Sequence, residues 1–391
     1  MSKKTPTPNI RFTPFSKDWI IDKLGNHVFI STGDCVTTNQ SFDYGYPIIS
    51  GGKEPMGFLN RYNRNENTVT VARAGTAGYV MFQKEKFYLN DKCFSLENDD
   101  QLVPLYLYYY LKSNQDKIES LKVASSVPTI NTQHLKSFDI LIPEKQEQEQ
   151  IGCFLDKLDS SISLYQDKSN KIASLKRSLF KKMFPNHLGS NPVLRFKTFE
   201  NDWSKKRIGD EALIVAGGTP STAKKEYWNP KEIPWLSSGE VHKKRIDFAD
   251  NMISKLGLDN SSARWIPENS VLIALAGQGK TRGTVAINNI RLTTNQSIAA
   301  ITFNSNFDTN FVFSNLESRY EELRSISSAD GSRGGLNKQL ISNVEIPFTT
   351  INEQIAVGAL FENLDKLTKA YNDKLVLLRN LKSSLLEKMF A

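Results

Sequence analysis

A chain of 391 residues is longer than one hydrophobic core ordinarily serves, which predicts two domains of roughly 150 residues plus connecting elements. With 39% hydrophobic, 10% aromatic and 24% charged residues it has the make-up of a folded protein and not of a disordered one, and its formal charge of +8 suits an anionic partner. Cys35, Cys93 and Cys153 are far apart, the four histidines have no ligand spacing, and no apolar run approaches the roughly 18 residues of a membrane span, so neither a zinc or redox centre nor a membrane anchor is expected, and a cytoplasmic protein is.

In chain order, a segment Arg11-Phe12 to Trp19 leads into strand-like runs at 46–50, 68–74 and 78–82, bounded by Gly, Asn and Asp turns. A helix is predicted over 103–122 and a short strand over 138–142. A polar run, 144–150, then opens an uninterrupted amphipathic helix with apolar residues at 151, 155, 158, 162, 165, 172, 179 and 183. Pro185 stops it. The order then repeats: Arg195-Phe196 to Trp203, strands at 271–276 and 297–303, a helix over 307–325, a strand over 344–348, and a second long helix with its seam at 357, 361, 364, 371, 375, 378, 385 and 389. Each long helix spans about 37 residues, on the order of 55 Å.

The chain is thus written twice. Residues 11–19 recur at 195–203 with an offset of 184, 67–75 lie over 269–277 at 202, Gly78 and Asn90 match Gly283 and Asn295 at 205, and 131–184 match 337–390 at 206 with 18 identities in 54 positions. Among those identities are Glu147-Gln148/Glu353-Gln354, Gly152/Gly358, Leu158-Asp159/Leu364-Asp365 and Lys182-Met183-Phe184/Lys388-Met389-Phe390. Copies that stay alike at their ends and diverge in their middles share a partner or geometry through the former and meet different things through the latter. The fold expected is α+β: two mixed α/β domains, 1–143 and 185–349, in pseudo-two-fold repeat, separated by two long antiparallel helices, 144–184 and 350–391, that form a coiled-coil-like spacer.

This layout of divergent domain and Glu-Gln-led helix, twice over, resembles the specificity subunit of Type I restriction-modification systems across essentially the whole chain. Within copy two, Gly217-Gly218-Thr219-Pro220-Ser221, Tyr227-Trp228, the 233–239 run Ile-Pro-Trp-Leu-Ser-Ser-Gly and Thr293-Thr294-Asn295-Gln296 are similar to a run common in that family's target-recognition domains; 46–51 and 73–80 look like its counterparts in copy one. The resemblance implies a non-catalytic DNA-binding subunit in which each domain reads half of a split sequence on double-stranded DNA. It implies that the helices fix the gap and dock two methyltransferase subunits, and that nuclease-translocase (restriction) subunits join the complex. S-adenosylmethionine, ATP and Mg are then expected on the partner subunits and no cofactor in this chain.

Chemistry in the chain itself is sparse. Asn229-Pro230-Lys231-Glu232 lacks the second proline and the aromatic of an adenine methyltransferase. Gly279-Lys280-Thr281 suggests the phosphate loop GxxxxGK[ST], but the first glycine of that pattern would be Ala274, so 278–282 reads better as a basic loop that lies against DNA, and 330–335 as a flexible connector. Lys and Arg suit phosphates, while Arg, Asn, Gln and Lys suit base edges. On that chemistry the divergent loops nominate Lys53, Arg61, Tyr62, Arg64 and Arg73 in the first domain, and Lys224, Lys225, Tyr227, His242, Lys243, Lys244, Arg245, Gln278, Lys280 and Arg282 in the second. Three other readings stand beside this one: a specificity subunit whose partner fuses nuclease and methyltransferase, a scaffold whose helices dimerise and whose domains bind protein, and a nucleotide hydrolase at 279–281.

Overall fold

The computed structural model describes residues 8–123, 128–185, 190–277, 280–326 and 335–390. They form two units, one of Met1–Asp167 with Asn372–Ala391 and the other of Lys168–Tyr371, so each unit takes one divergent domain and a portion of both long helices.

In the first unit the β-branched and aromatic runs pair as a four-stranded antiparallel sheet in the order Val28–Thr32, Cys93–Asn98, Thr68–Ala72, Val80–Gln83. A smaller sheet sets Tyr46–Ile49 between Phe58–Leu59 and Tyr88–Leu89. Ile20–Lys23 pairs antiparallel with Asp139–Ile142, Ile20 opposite Ile142, so the strand that enters the domain lies against the strand that leaves it for the long helix. The helix predicted over 103–122 is two, Pro104–Ser113 and Gln115–Glu119, because Asn114 leaves helical geometry at φ −103°, ψ 23°. Tyr106, Leu107, Tyr109 and Leu111 are buried from the first of these, in a core that Ile151, Leu155, Met389 and Phe390 complete.

The second unit follows the same plan. Its main sheet runs Ala212–Ala216, Ile298–Phe303, Val271–Ala274, Val285–Asn288, Arg245–Ile246, a three-stranded sheet holds Ile233–Leu236, and Ser204–Arg207 pairs with Glu345–Phe348. Here too the predicted helix is split, into Thr309–Ser318 and Tyr320–Ile326, at Arg319 with the same backbone angles.

The long helices are Lys145–Met183 and Ile351–Met389, 39 residues each. Within the first unit Lys382 pairs with Asp159 and the Arg379 guanidinium donates to Gln166 Oε1 at 2.8 Å; within the second, Lys176 pairs with Asp365 and the Phe180 and Phe361 rings stack 4.5 Å apart. In both units residue numbers rise on one helix as they fall on the other, which is antiparallel packing. Lys176 and Lys382 are the same position of the two copies, as are Asp159 and Asp365, so the repeat exchanges one ion pair between the helices. The 3–4 seam of the first helix is also more complete than its apolar residues show: Ser169 and Lys176 fill the two gaps in it and are buried. A polar residue in such a seam fixes register at some cost in stability.

Glu-Gln at the head of each helix fastens domain to helix. Glu147 takes a two-pronged bond from Arg11 at 2.7 and 2.8 Å and one from Trp19 Nε1 at 3.2 Å; Glu353 takes the same from Arg195 at 2.6 and 2.8 Å and from Trp203 at 3.0 Å. Gln148 accepts from Val103 N–H and donates to the Gln101 and Pro143 carbonyls, and Gln354 repeats this with Asp308, Asn306 and Thr349. Gly358 allows the approach: a Cβ there would stand 2.3 Å from Asp308 Oδ1 and 2.8 Å from Phe311 N.

One exception to the shared plan is His27, whose Nδ1 and Nε2 each lie 2.9 Å from a carboxylate, of Asp99 and of Asp22. Burial opposes its charge, but the two carboxylates prevail and raise its pKa above 6.5. A raised folded value means that its contribution to stability is complete below the unfolded pKa and is lost as pH rises through the folded one. The urea midpoint should therefore decline more with rising pH above 6.5 in the natural protein than in His27→Gln; equal slopes would show that the charged form is not what the two aspartates hold.

Candidate nucleic-acid interface

In the first domain the nominated residues fall on the loops around the small sheet. Lys53 follows Tyr46–Ile49 on a loop that is tied to the 73–79 turn, since Thr76 donates both its N–H and its hydroxyl to the Gly51 carbonyl at 2.8 Å. The approach needs glycine on both sides: a Cβ on Gly51 would meet Ala74 O at 2.1 Å, and Gly75 has φ +77°. Lys53 and Arg73 are thereby brought onto adjoining loops, both exposed, with the Lys53 ammonium 5.1 Å from the centre of the Tyr79 ring. Arg61 lies over Tyr88 at 5.7 Å. Tyr62, 43% exposed, packs edge-on to Tyr46, and Lys86 reaches its hydroxyl at 3.2 Å and its ring at 4.6 Å. Lys86, which the sequence does not single out, lies on the connection between the strands Val80–Gln83 and Tyr88–Leu89.

Arg64 is engaged differently. Its guanidinium donates to Ser95, Ser31, the Asn63 carbonyl and the Thr32 carbonyl at 2.8–3.0 Å, which braces the strands Val28–Thr32 and Cys93–Asn98.

In the second domain Lys224 donates to the Tyr227 hydroxyl at 3.0 Å, Tyr227 is 8% exposed, and Lys225 is exposed beside them. The short helix Ser238–Lys243 carries exposed His242 at its end. Lys243 pairs with Asp250 at 2.7 Å and Glu240 at 3.1 Å and lies 4.8 Å over the ring of Phe248, itself 63% exposed; the Asp250 contact holds its pKa above the ordinary value. Lys244 pairs with Glu317, and the Arg245 guanidinium lies 5.1 Å over Phe313, so both engage the helix Thr309–Ser318. Lys280 is exposed, its carbonyl accepting from Tyr320 at 2.8 Å, and Arg282 is half-buried; Gln278, like the 330–334 part of the connector, lies outside the described residues. Ala274, where a phosphate loop would need glycine, ends the buried strand Val271–Ala274.

The arrangement thus offers exposed cations and aromatics on two different loop systems, one per unit. Among the described residues no cluster of His, Cys, Asp or Glu could hold a metal ion, and no helix is long and apolar enough to cross a membrane.

Comparison with known proteins meets this construction at both copies. The family model of the Type I restriction modification DNA specificity domain matches residues 16–174 and 200–377. The chain is similar to the EcoR124I/EcoR124II specificity subunit of Escherichia coli, with 25% identity over 85% of this chain and 82% of that protein. It is also similar to a putative type I specificity subunit of Mycoplasma pneumoniae, with 22% identity over 98% and 99%. Among solved structures, the S subunit of a Type-I restriction-modification system from M. genitalium superposes with a TM-score of 0.77 at 18% identity, covering 99% of both chains. With the family model matched twice and over most of its length, the chain belongs to the Type I restriction-modification DNA specificity family, and is the subunit through which such a system recognises its DNA target.

Proposed function

We propose that the chain reads a bipartite DNA sequence, one half with each divergent domain, while its paired helices hold the non-specific gap between halves and dock two methyltransferase subunits, to which nuclease-translocase subunits add in the complete enzyme. The observation that carries this reading is the division of labour in the repeat. The clasp at Glu147/Glu353, the stitching by Gln148/Gln354 and the exchanged Lys-Asp pairs are the same twice, whereas the exposed cations of the two loop systems share neither position nor number. A reader attached to a stiff helix meets DNA at a set separation.

The chain supplies no catalytic group in this reading. Methyl transfer from S-adenosylmethionine, and ATP- and Mg-dependent translocation and cleavage, belong to the partner subunits, in the cytoplasm. That Ala274 closes a buried strand supports setting aside a nucleotide hydrolase at 279–281.

The test is to co-express the chain with a methyltransferase subunit, purify the assembly and map adenine methylation across a genome by single-molecule sequencing. The expected result is a two-part motif with a constant gap, of which one half alone changes when residues 20–130 are exchanged for those of a relative. Methylation of a continuous, undivided motif, or no assembly at all, would overturn the reading. The same purification decides whether the partner carries a fused nuclease, since the fused chain would co-purify as one polypeptide.

A further inference from the structure

Lys244 stands out in the second domain on backbone grounds alone. It caps the short helix Ser238–Lys243 with φ +63° and ψ −41°, a left-handed conformation that a lysine adopts only when its surroundings hold it there. Two backbone bonds do part of this, Lys244 N–H to the Val241 carbonyl at 3.1 Å and Ile287 N–H to the Lys244 carbonyl at 2.8 Å. The side chain does the rest: its ammonium pairs with Glu317, on the helix Thr309–Ser318. Glu317 also receives Lys176 of the long helix at 2.7 Å, and Lys176 in turn pairs with Asp365 of the other long helix. The four charges alternate in sign from the loop, through the domain helix, to the helix pair. Lys176 is 8% exposed and is faced by two carboxylates, those of Glu317 and Asp365. Burial alone would raise the pKa of Glu317, yet Lys176 and Lys244 hold it below the ordinary value. Arg245, the next residue, stacks over Phe313 on the same helix.

Among the described residues the first domain has no such chain. The position matching Glu317 is Lys112, whose ammonium donates to the Val80 carbonyl and Gln115 Oε1 and lies 4.0 Å over the Tyr79 ring.

We propose that Lys176, Glu317 and Lys244 form a strut that positions the 238–250 segment of the second domain for reading its half of the DNA site, with Lys244 a positioning residue and not a phosphate contact. The proposal rests on the reading that each domain reads one half-site. It deepens that reading by dividing the basic run 242–245: His242 stands exposed on the segment that is held, Lys243 is braced within that segment by Glu240 and Asp250, and Lys244 and Arg245 tie it to the helix Thr309–Ser318.

The experiment uses the full chain assembled with its methyltransferase subunits and three duplexes: the mapped site, the site with one base pair changed in the first half, and the site with one changed in the second. Both E317Q and K244M should lower discrimination against the second-half change by about tenfold, the scale of one base-pair contact, and leave discrimination in the first half as it was. K244R should restore it. Because no phosphate contact is removed, the slope of log affinity against log salt should stay the same in K244M. Since the Lys244 side chain is half-exposed, K244M keeps the test open should E317Q unfold. Unchanged second-half discrimination in K244M, or a salt slope reduced by about one, would overturn the strut. If the unaltered assembly discriminates in neither half, the parent reading falls and the strut with it.

Discussion

Replacing Glu353 by alanine is expected to lower the free energy of unfolding by about 3–5 kcal/mol, the usual penalty for leaving one member of a buried ion pair without the other. The Glu353 side chain is fully buried and gathers the Arg195 guanidinium, the Trp203 indole N–H and the Thr349 hydroxyl. Without it, Arg195 loses both its bonds to the carboxylate, keeping only the one to the Asn201 carbonyl, and the indole N–H is buried unpaired, in a site closed by Phe311 against Trp203. Arg195→Ala should cost a comparable amount, and the double variant much less than the sum, because each single change already destroys the one interaction. Acid should act in the same direction. Burial alone would raise the pKa of Glu353, but Arg195 and Thr349 hold it below the ordinary 4.5, so its contribution is complete above the unfolded value and is lost as pH falls through the folded one. Urea titration at neutral pH measures the effect; a loss under about 1 kcal/mol for Glu353→Ala would mean that the clasp is a surface pair in effect.

Phe361→Ala should be as costly, again about 3–5 kcal/mol, for a different reason. Phe361 is 0% exposed and packs against both Phe180 at 4.5 Å and Phe184 at 5.6 Å, and Phe184 packs on Phe311 of the domain helix. Truncation leaves a cavity at the place where the two helices and the domain of the second unit share one core, and aromatic rings cannot collapse into it without losing their own contacts. Val376→Ala, on the exposed side of the same helix at 58% exposure, is the control and should stay within about 0.5 kcal/mol. Equal effects of the two changes would show that the aromatic stack does not hold the helices together.

The parts of this architecture that could be read in the amino-acid sequence are those with a period. The long helices declare themselves through a spacing of three and four that only a helix converts into one face, and the strands of the main sheets through β-branched runs closed by Gly and Asn. Where a single residue ends an element, pattern is silent: nothing in the composition of 103–122 distinguishes Asn114 as the point where the first domain helix turns aside. A polar seam residue is hidden for a related reason, since Lys176 enters a buried seam only because Asp365 of the opposite helix and Glu317 of the domain answer it. The repeated Arg, Trp and Glu were plain as identities, but that they touch across more than 100 residues is tertiary information. Among the loop cations, residue type and clustering nominate many and cannot sort them. Arg64 spends its donors on neighbouring strands and Lys244 reaches inward to Glu317, while Lys53, Arg73, Lys225, His242 and Lys280 stand exposed.

The two Arg-Glu-Trp clasps also say something about descent. Each one seals a reading domain at the point where the chain enters and leaves it, and both are built from the same three residue types with the same bonds. A genetic crossover within the stretches that encode these clasps replaces everything between them and still delivers an arginine to a glutamate and an indole beside it. A domain exchanged at these stretches would thus arrive with its seal to the helix already fitted.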